Sequence, residues 1–188
     1  VAVLGIGLLS IDFLIYWAHR LQHSIPLFWR FHAVHHSDTD MDVSTALRHH
    51  PVAYLLTGMF TGVIMLNLGM PVWVFALYSL SEVPVGVFQH VATPVPDWFE
   101  RSIRWVFVTP GMHQLHHSTE ESYFNANFAN ILSIWDRLFG TFVVRDAATR
   151  ERLRFGVEPY TGAEHRGALW TLTMPFLMRL GGGESVET

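Results

Sequence analysis

Three histidines fall within five positions in FHAVHHS, residues 31–37, and the spacing His-x-x-His-His-Ser returns in MHQLHHS, residues 112–118. A further pair, His19 and His23 of HRLQH, stands four residues apart. On a helix, residues three and four apart are neighbours with Cβ atoms about 5–6 Å apart. Each group can therefore offer adjacent imidazoles to one metal ion, and neutral imidazole suits iron, zinc, copper and nickel. His19, His23, His32, His35, His36, His113, His116 and His117 together exceed the four ligands that complete a structural zinc site. They fit two ions of higher coordination number, with positions left for oxygen or water, and iron leads the candidates. The chain has no cysteine, so thiolate sites, cysteine nucleophiles and disulfides are excluded. No catalytic side chain is expected beyond the metal centre.

The elements that must position these residues read as membrane helices. The chain has 188 residues, enough for one domain over 1–188. Half of them are hydrophobic and 15% are charged, against about 25% in a typical soluble domain. A net charge of −4 gives no reason to expect a nucleic-acid partner. Residues 1–18 are apolar apart from Ser10 and Asp12, and at ~27 Å they approach a bilayer core of ~30 Å. The chain opens at Val1 in this run, so an upstream membrane segment is expected to be missing. Two more apolar runs, 52–66 and 72–87, flank NLGMP at 67–71, and Glu82 and Pro84 interrupt the second. They read as a helical hairpin with arms of ~22–25 Å, short for a full crossing. Residues 167–180 are apolar but too short to cross and are expected to lie in the interface or on the domain. The tail 181–188 is expected to be disordered.

If the first run crosses and the hairpin goes out and back, residues 19–51 and 88–166 share one face. That face carries Arg20, Arg30, Arg48 and eight later arginines, which puts it in the cytoplasm. Both histidine groups then meet at that membrane face. Asp12, Tyr16, His19 and His23 fall on one narrow helical stripe. An aspartate inside an apolar span is costly and is a functional hypothesis by default. Asp12 either orients a metal-bound imidazole through its other nitrogen or faces a neighbouring helix or a wet cavity. Tyr16 is either a hydrogen-bond partner there or an interfacial aromatic anchor. Trp17, Trp29, Trp98 and Trp105 are expected in the interfacial belt and in domain packing.

At these residues the chain resembles the fatty acid hydroxylase / sterol desaturase superfamily. DFLIYWAHRLQHSIPLFWRFHAVHHS is similar to its opening signature, TALRHHP to its R-x-H-P step, and FQHVATPVP to its F-x-H-x-N…P segment. VTPGMHQLHHS followed by NFANILSIWDRLFGTF resembles its last histidine box and W-D-R-L-F-G-T signature. The resemblance covers residues 12–142. Ala92 stands where the family commonly has Asn, and Ala129 where it commonly has Gly.

The resemblance implies an all-α fold, with integral membrane helices and a cytosolic helical cap that carries a histidine-rich dimetal site. It implies two iron ions, for which zinc can substitute, and O₂ as co-substrate. The reaction would be hydroxylation or desaturation of a lipid taken from the bilayer, such as a sterol or a fatty acid. Electrons would come from a separate donor, cytochrome b5, ferredoxin or similar. His90 matches a family box and joins the ligand set, and His50 is expected in or next to it, ahead of His49. His165 is expected on the surface. Asn127 and Asp136 either orient ligands or cap helices. Two other functions are open to a histidine-rich membrane chain. A zinc hydrolase would need a carboxylate base within a motif, as in HExxH, and neither box has one. A metal transporter would hold its ligands near the midplane of its spans.

Overall fold

The first apolar run and the HRLQH histidines form one continuous helix, α1 (Ala2–Ser24), of 23 residues. It continues past the apolar run through His19 and His23, because no helix breaker follows until Pro26. The computed structural model describes residues 1–165 and 167–178. The expected disorder of 181–188 lies outside the described residues. A single extended residue, Ile25, separates α1 from α2 (Pro26–His36). Pro26, Pro51 and Pro110 open α2, α3 (Pro51–Asn67) and, after α4 (Val72–Gln89) and α5 (Asp97–Ile103), α6 (Pro110–His117). At the first helical turn, proline's fixed φ is already helical and its missing N–H has no partner to lose. The chain turns sharply at Ile25, so His32 and His36 of α2 lie back against His19 and His23.

The NLGMP segment is the turn between α3 and α4, with Gly69 at φ 69°. Helix α4 continues through Pro84. Helices α1 and α4 are long and apolar enough to cross a membrane, whereas α3, with 17 residues, is shorter. Their outer faces expose Val3, Ile6 and Leu9 on α1, Leu55, Met59 and Val63 on α3, and Trp73, Leu77 and Leu80 on α4. A belt of this extent is too apolar for a water-facing surface and suits lipid. Inside it, Ile11 and Ile15 pack on Met65, Val74 and Tyr78. Gly7 lets α1 and α4 close up: a Cβ there would stand 2.6 Å from the Val74 side chain.

The polar half is built from short pieces: α7 (Glu121–Phe124), α8 (Ile134–Leu138), α9 (Ala147–Arg150) and α10 (Ala168–Leu177). Helix α10 packs on the domain, with Met174 against Ala33 and Val34 of α2. Among the described residues there is no strand, only isolated bridges Phe107–Leu132 and Ser118–Phe155. The fold is all-α, as the sequence implies.

One segment, residues 126–136, joins the two halves. Asp12, almost fully buried in α1, accepts hydrogen bonds from the Ile131 and Leu132 amides (both 3.1 Å), the Trp135 indole (2.8 Å) and the Tyr78 hydroxyl. A buried carboxylate is tolerable only with such donors. Its partners are therefore this segment and α4. Neither His19 nor Tyr16 is bonded to it, so of the two roles open to Asp12 it takes the one that faces a neighbouring helix.

Candidate metal centre

Nine of the twelve histidines converge in two groups. His19, His23, His32, His36 and His116 form one, and His35, His90, His113 and His117 the other. Within each group the potential ligand atoms all lie within 4.8 Å of one another. The two HxxHH boxes divide in the same way. In each, the first and last histidines, four apart, share a group. The middle one, about 100° from the last around the helix, points to the other. His32 and His36 thus join the first group while His35 crosses to the second. His113 and His117 join the second while His116 crosses to the first. The groups touch where His36 stacks on His117, with centroids 4.3 Å apart.

The spacing fits metal ligation. The Nε2 atoms of His19 and His32 are 3.0 Å apart, those of His32 and His36 3.2 Å, and those of His113 with His90 and with His117 both 3.1 Å. Two nitrogens about 2.0–2.1 Å from one ion at right-angle to tetrahedral angles stand roughly 2.8–3.4 Å apart. Both ring nitrogens of His23, and Nε2 of His116, are buried without a hydrogen-bond partner. Such orphaned acceptors are rare in a finished structure and are what ligands show before an ion is added. The donor set is all imidazole, so the residues fit iron and also zinc.

Protonation favours the same role. Burial, then repulsion from neighbouring rings, holds His32, His35, His36, His113 and His117 well below the ordinary imidazole range. Burial and then His19 do the same to His116. Neutral imidazole is the form that ligates.

Backbone carbonyls, not carboxylates, orient three of the nine rings. His19 Nδ1 donates to the Phe128 carbonyl (2.8 Å), His116 Nδ1 to the Ala126 carbonyl (2.8 Å) and His90 Nδ1 to the Gly86 carbonyl (2.7 Å). Each bond fixes the tautomer and leaves Nε2 with its lone pair. Asn127 and Asp136 hold those carbonyls in place. Asn127, at φ 54°, donates to the Met112 and Val143 carbonyls and accepts from the Val143 amide. Asp136 accepts from the Phe128 amide (2.8 Å), the Ala129 amide (3.2 Å) and Thr141 Oγ1 (2.8 Å). Burial pushes its carboxyl up to about 6, against these bonds. The Tyr16 hydroxyl bonds Thr141 Oγ1 at 3.0 Å and accepts from Arg20, so its hydrogen bonds reach the centre through Thr141, which bonds both Asp136 and the Asn127 amide.

His50 stands outside both groups. It caps α3, accepting from the Val52 amide (3.1 Å), and its other nitrogen lies 3.3 Å from the Leu172 carbonyl. Its neighbour His49 instead stacks on His35 at 4.0 Å, and burial, then His90 and His19, lowers it to about 3. His165 rests on Trp170, away from both groups. Trp98 and Trp105 are exposed, Trp17 packs on Phe139, and Trp29 packs on His23 and His36.

A cavity of about 360 Å³ lies between α1, α3 and α4, with His19, His32, His35, His90 and His113 at its head. Its wall includes Gln22, Glu82 and Gln89, which sequence reasoning missed. Glu82 carried a signal, as a charged residue in the apolar run 72–87.

A family model described as fatty acid hydroxylase matches residues 4–141. The alkylglycerol monooxygenase of Xenopus tropicalis is 31% identical over 149 residues, 79% of this chain and 31% of that protein. The ornithine lipid hydroxylase OlsE of Rhizobium tropici is 32% identical over 171 residues, 91% of this chain and 49% of that protein. The very-long-chain aldehyde decarbonylase GL1-5 of Oryza sativa subsp. indica is 25% identical over 153 residues, 73% of this chain and 24% of that protein. The chain spans less than half the length of these relatives. No solved structure matches it.

Proposed function

The chain belongs to the fatty acid hydroxylase family, and from that premise we propose that it is a membrane oxidoreductase that hydroxylates or desaturates a lipid with O₂ at a di-iron centre. The observation that carries this reading is the pair of all-imidazole groups at the head of a cavity opening among lipid-facing helices. His19, His23, His32, His36 and His116 would hold one iron, and His35, His90, His113 and His117 the other. Iron bound there would supply the O₂ activation that attack on an unactivated C–H bond requires, which no side chain can provide. The protein's own part is to keep nine imidazoles neutral, to set the tautomers of His19 and His116 from residues 126–128 and that of His90 from Gly86, and to admit lipid from the side. Asp12, Asn127 and Asp136 act as positioning residues through the backbone they hold, with Tyr16 behind them. Reducing equivalents would come from a separate protein of cytochrome b5 or ferredoxin type. Neither histidine group includes a carboxylate among the described residues, so a hydrolase would lack its base within the ligand cluster.

Protein purified without air from iron-replete cells is expected to carry two irons per chain. It should consume O₂ with a reductant and yield a lipid that has gained one oxygen or lost two hydrogens by mass spectrometry. Iron repletion matters because zinc can displace iron from an all-histidine site. One zinc per chain, lipid hydrolysis and no O₂ uptake would overturn the proposal.

The arginine distribution supports a cytoplasmic face for the histidine groups. Cysteines introduced singly at 67–70 and at 145–154 are then expected to react with impermeant reagents from opposite sides of the membrane. A chain with no native cysteine suits the measurement. Reaction of both from the same side would make the α3–α4 hairpin re-entrant.

A further inference from the structure

The cavity below the histidines is more polar than a hydrocarbon chain needs. Sites for apolar ligands are lined chiefly by apolar side chains, with a few placed polar groups that select the ligand. Here three polar side chains have one end tied to the protein. Gln22 Nε2 donates to Thr57 Oγ1 (2.8 Å) and the Ala53 carbonyl (3.3 Å). Gln89 Nε2 donates to the Asn130 carbonyl (2.6 Å). One Glu82 oxygen accepts from Asn130 Nδ2 (2.9 Å). The other ends, Oε1 of Gln22, Oε1 of Gln89 and Oε2 of Glu82, have no protein donor among the described residues. Gln22 and Gln89 are 6% and 3% exposed, so bulk water does not serve them freely. All three residues line the cavity, on α1 and α4. These three oxygens reach the open space of the cavity, so water or a ligand that brings donors must meet them there. An anionic group would instead meet the Glu82 carboxyl.

We propose that this cavity binds a hydrogen-bond-donating polar group of the lipid, a hydroxyl or an ammonium, on Glu82, Gln22 and Gln89. The inference rests on the lipid-oxidising reading above and narrows its substrate class. At about 360 Å³ the cavity is near the lower limit for a drug-sized ligand, so it has no room for a whole lipid chain. The donor group and the attacked carbon therefore occupy it together, and oxidation falls on the part of the chain near the polar end. Glu82 lies eight residues before His90, the residue that follows α4, about 12 Å along the helix axis, which sets the scale of that separation.

The test compares ligands that differ only in donors. Binding to the purified, iron-loaded full chain is measured for a long-chain 1,2-diol against its di-O-methyl ether. A long-chain primary ammonium is measured against its trimethylammonium analogue, which keeps the charge and loses the donors. The donor-bearing member of at least one pair is expected to bind about tenfold tighter, and the pair that shows it identifies hydroxyl or ammonium as the group. That preference should collapse in Glu82→Leu and survive in part in Glu82→Gln, which keeps an acceptor oxygen. Equal binding within both pairs by the wild-type protein would overturn the proposal without recourse to any variant. A preference untouched by both Glu82→Leu and Gln89→Leu would overturn it equally. Because binding is read separately from turnover, the two readings fail separately. A donor preference without oxidation of any lipid leaves this site standing. Oxidation without a donor preference removes this site alone.

Discussion

Replacing His35 with alanine is expected to leave about one iron per chain and to abolish turnover, with membrane insertion unchanged. The exchange of histidines between the boxes sets this result. His35 sits in the first box but belongs to the second group, which without it falls to His90, His113 and His117. His116→Ala makes the reciprocal cut, yet leaves four members, His19, His23, His32 and His36. The His116 variant should therefore retain more iron than the His35 variant while losing turnover as fully, since both ions serve one reaction. Loss of residues that merely orient a ligand costs about 10–100-fold in affinity or activity, so loss of a ligand should exceed about 100-fold. Iron per chain and turnover are measured on each variant. Wild-type iron and activity in either would mean that the two boxes do not form one centre.

The second large effect is expected at Asp12, and it concerns stability first. Asp12→Leu leaves the Ile131 and Leu132 amides, the Trp135 indole and the Tyr78 hydroxyl without their acceptor. Each buried donor so orphaned costs about 1–3 kcal/mol, and a whole domain is stable by only about 5–15 kcal/mol. The leucine variant is expected not to accumulate as folded protein. Asp12→Asn keeps the shape and one acceptor oxygen but turns an N–H₂ towards donors. It should fold with a lowered unfolding midpoint and bind less iron, because the Phe128 carbonyl that orients His19 lies in the segment Asp12 anchors. Thermal unfolding in detergent and iron content test this. Wild-type values for both variants would make the Asp12 bonds dispensable.

The metal centre was legible in the sequence to the extent that it is local. Spacings of three and four put the imidazoles of each box side by side, and the helices that carry them follow from those spacings and from Pro26 and Pro110. What is not local was not legible. Which group His35 or His116 joins depends on how α2 and α6 face each other across nearly eighty residues of chain. Asp12 and His19 share a helical stripe but stand seven residues apart, about 10 Å along the axis. Packing gave Asp12 a partner more than a hundred residues away instead. The polar types at Asn127 and Asp136 marked them for attention. Their partners are backbone groups, which every residue carries and no sequence advertises. Between the adjacent His49 and His50, the start of α3 decides: the second becomes its cap, and the first turns to His35.

The crossing of His35 and His116 also sets an order in time. A ribosome that has released residues 1–36 has made four of the five histidines of the first group and one of the four of the second. Neither set closes until the chain has been synthesised through α6, because each draws at least one member from residues 113–117. Metal insertion on this reading is a late event in biogenesis, following the membrane insertion of α1, α3 and α4. It then acts as a pair of clasps between residues 19–36 and residues 90–117 of a chain with no cysteine to do so.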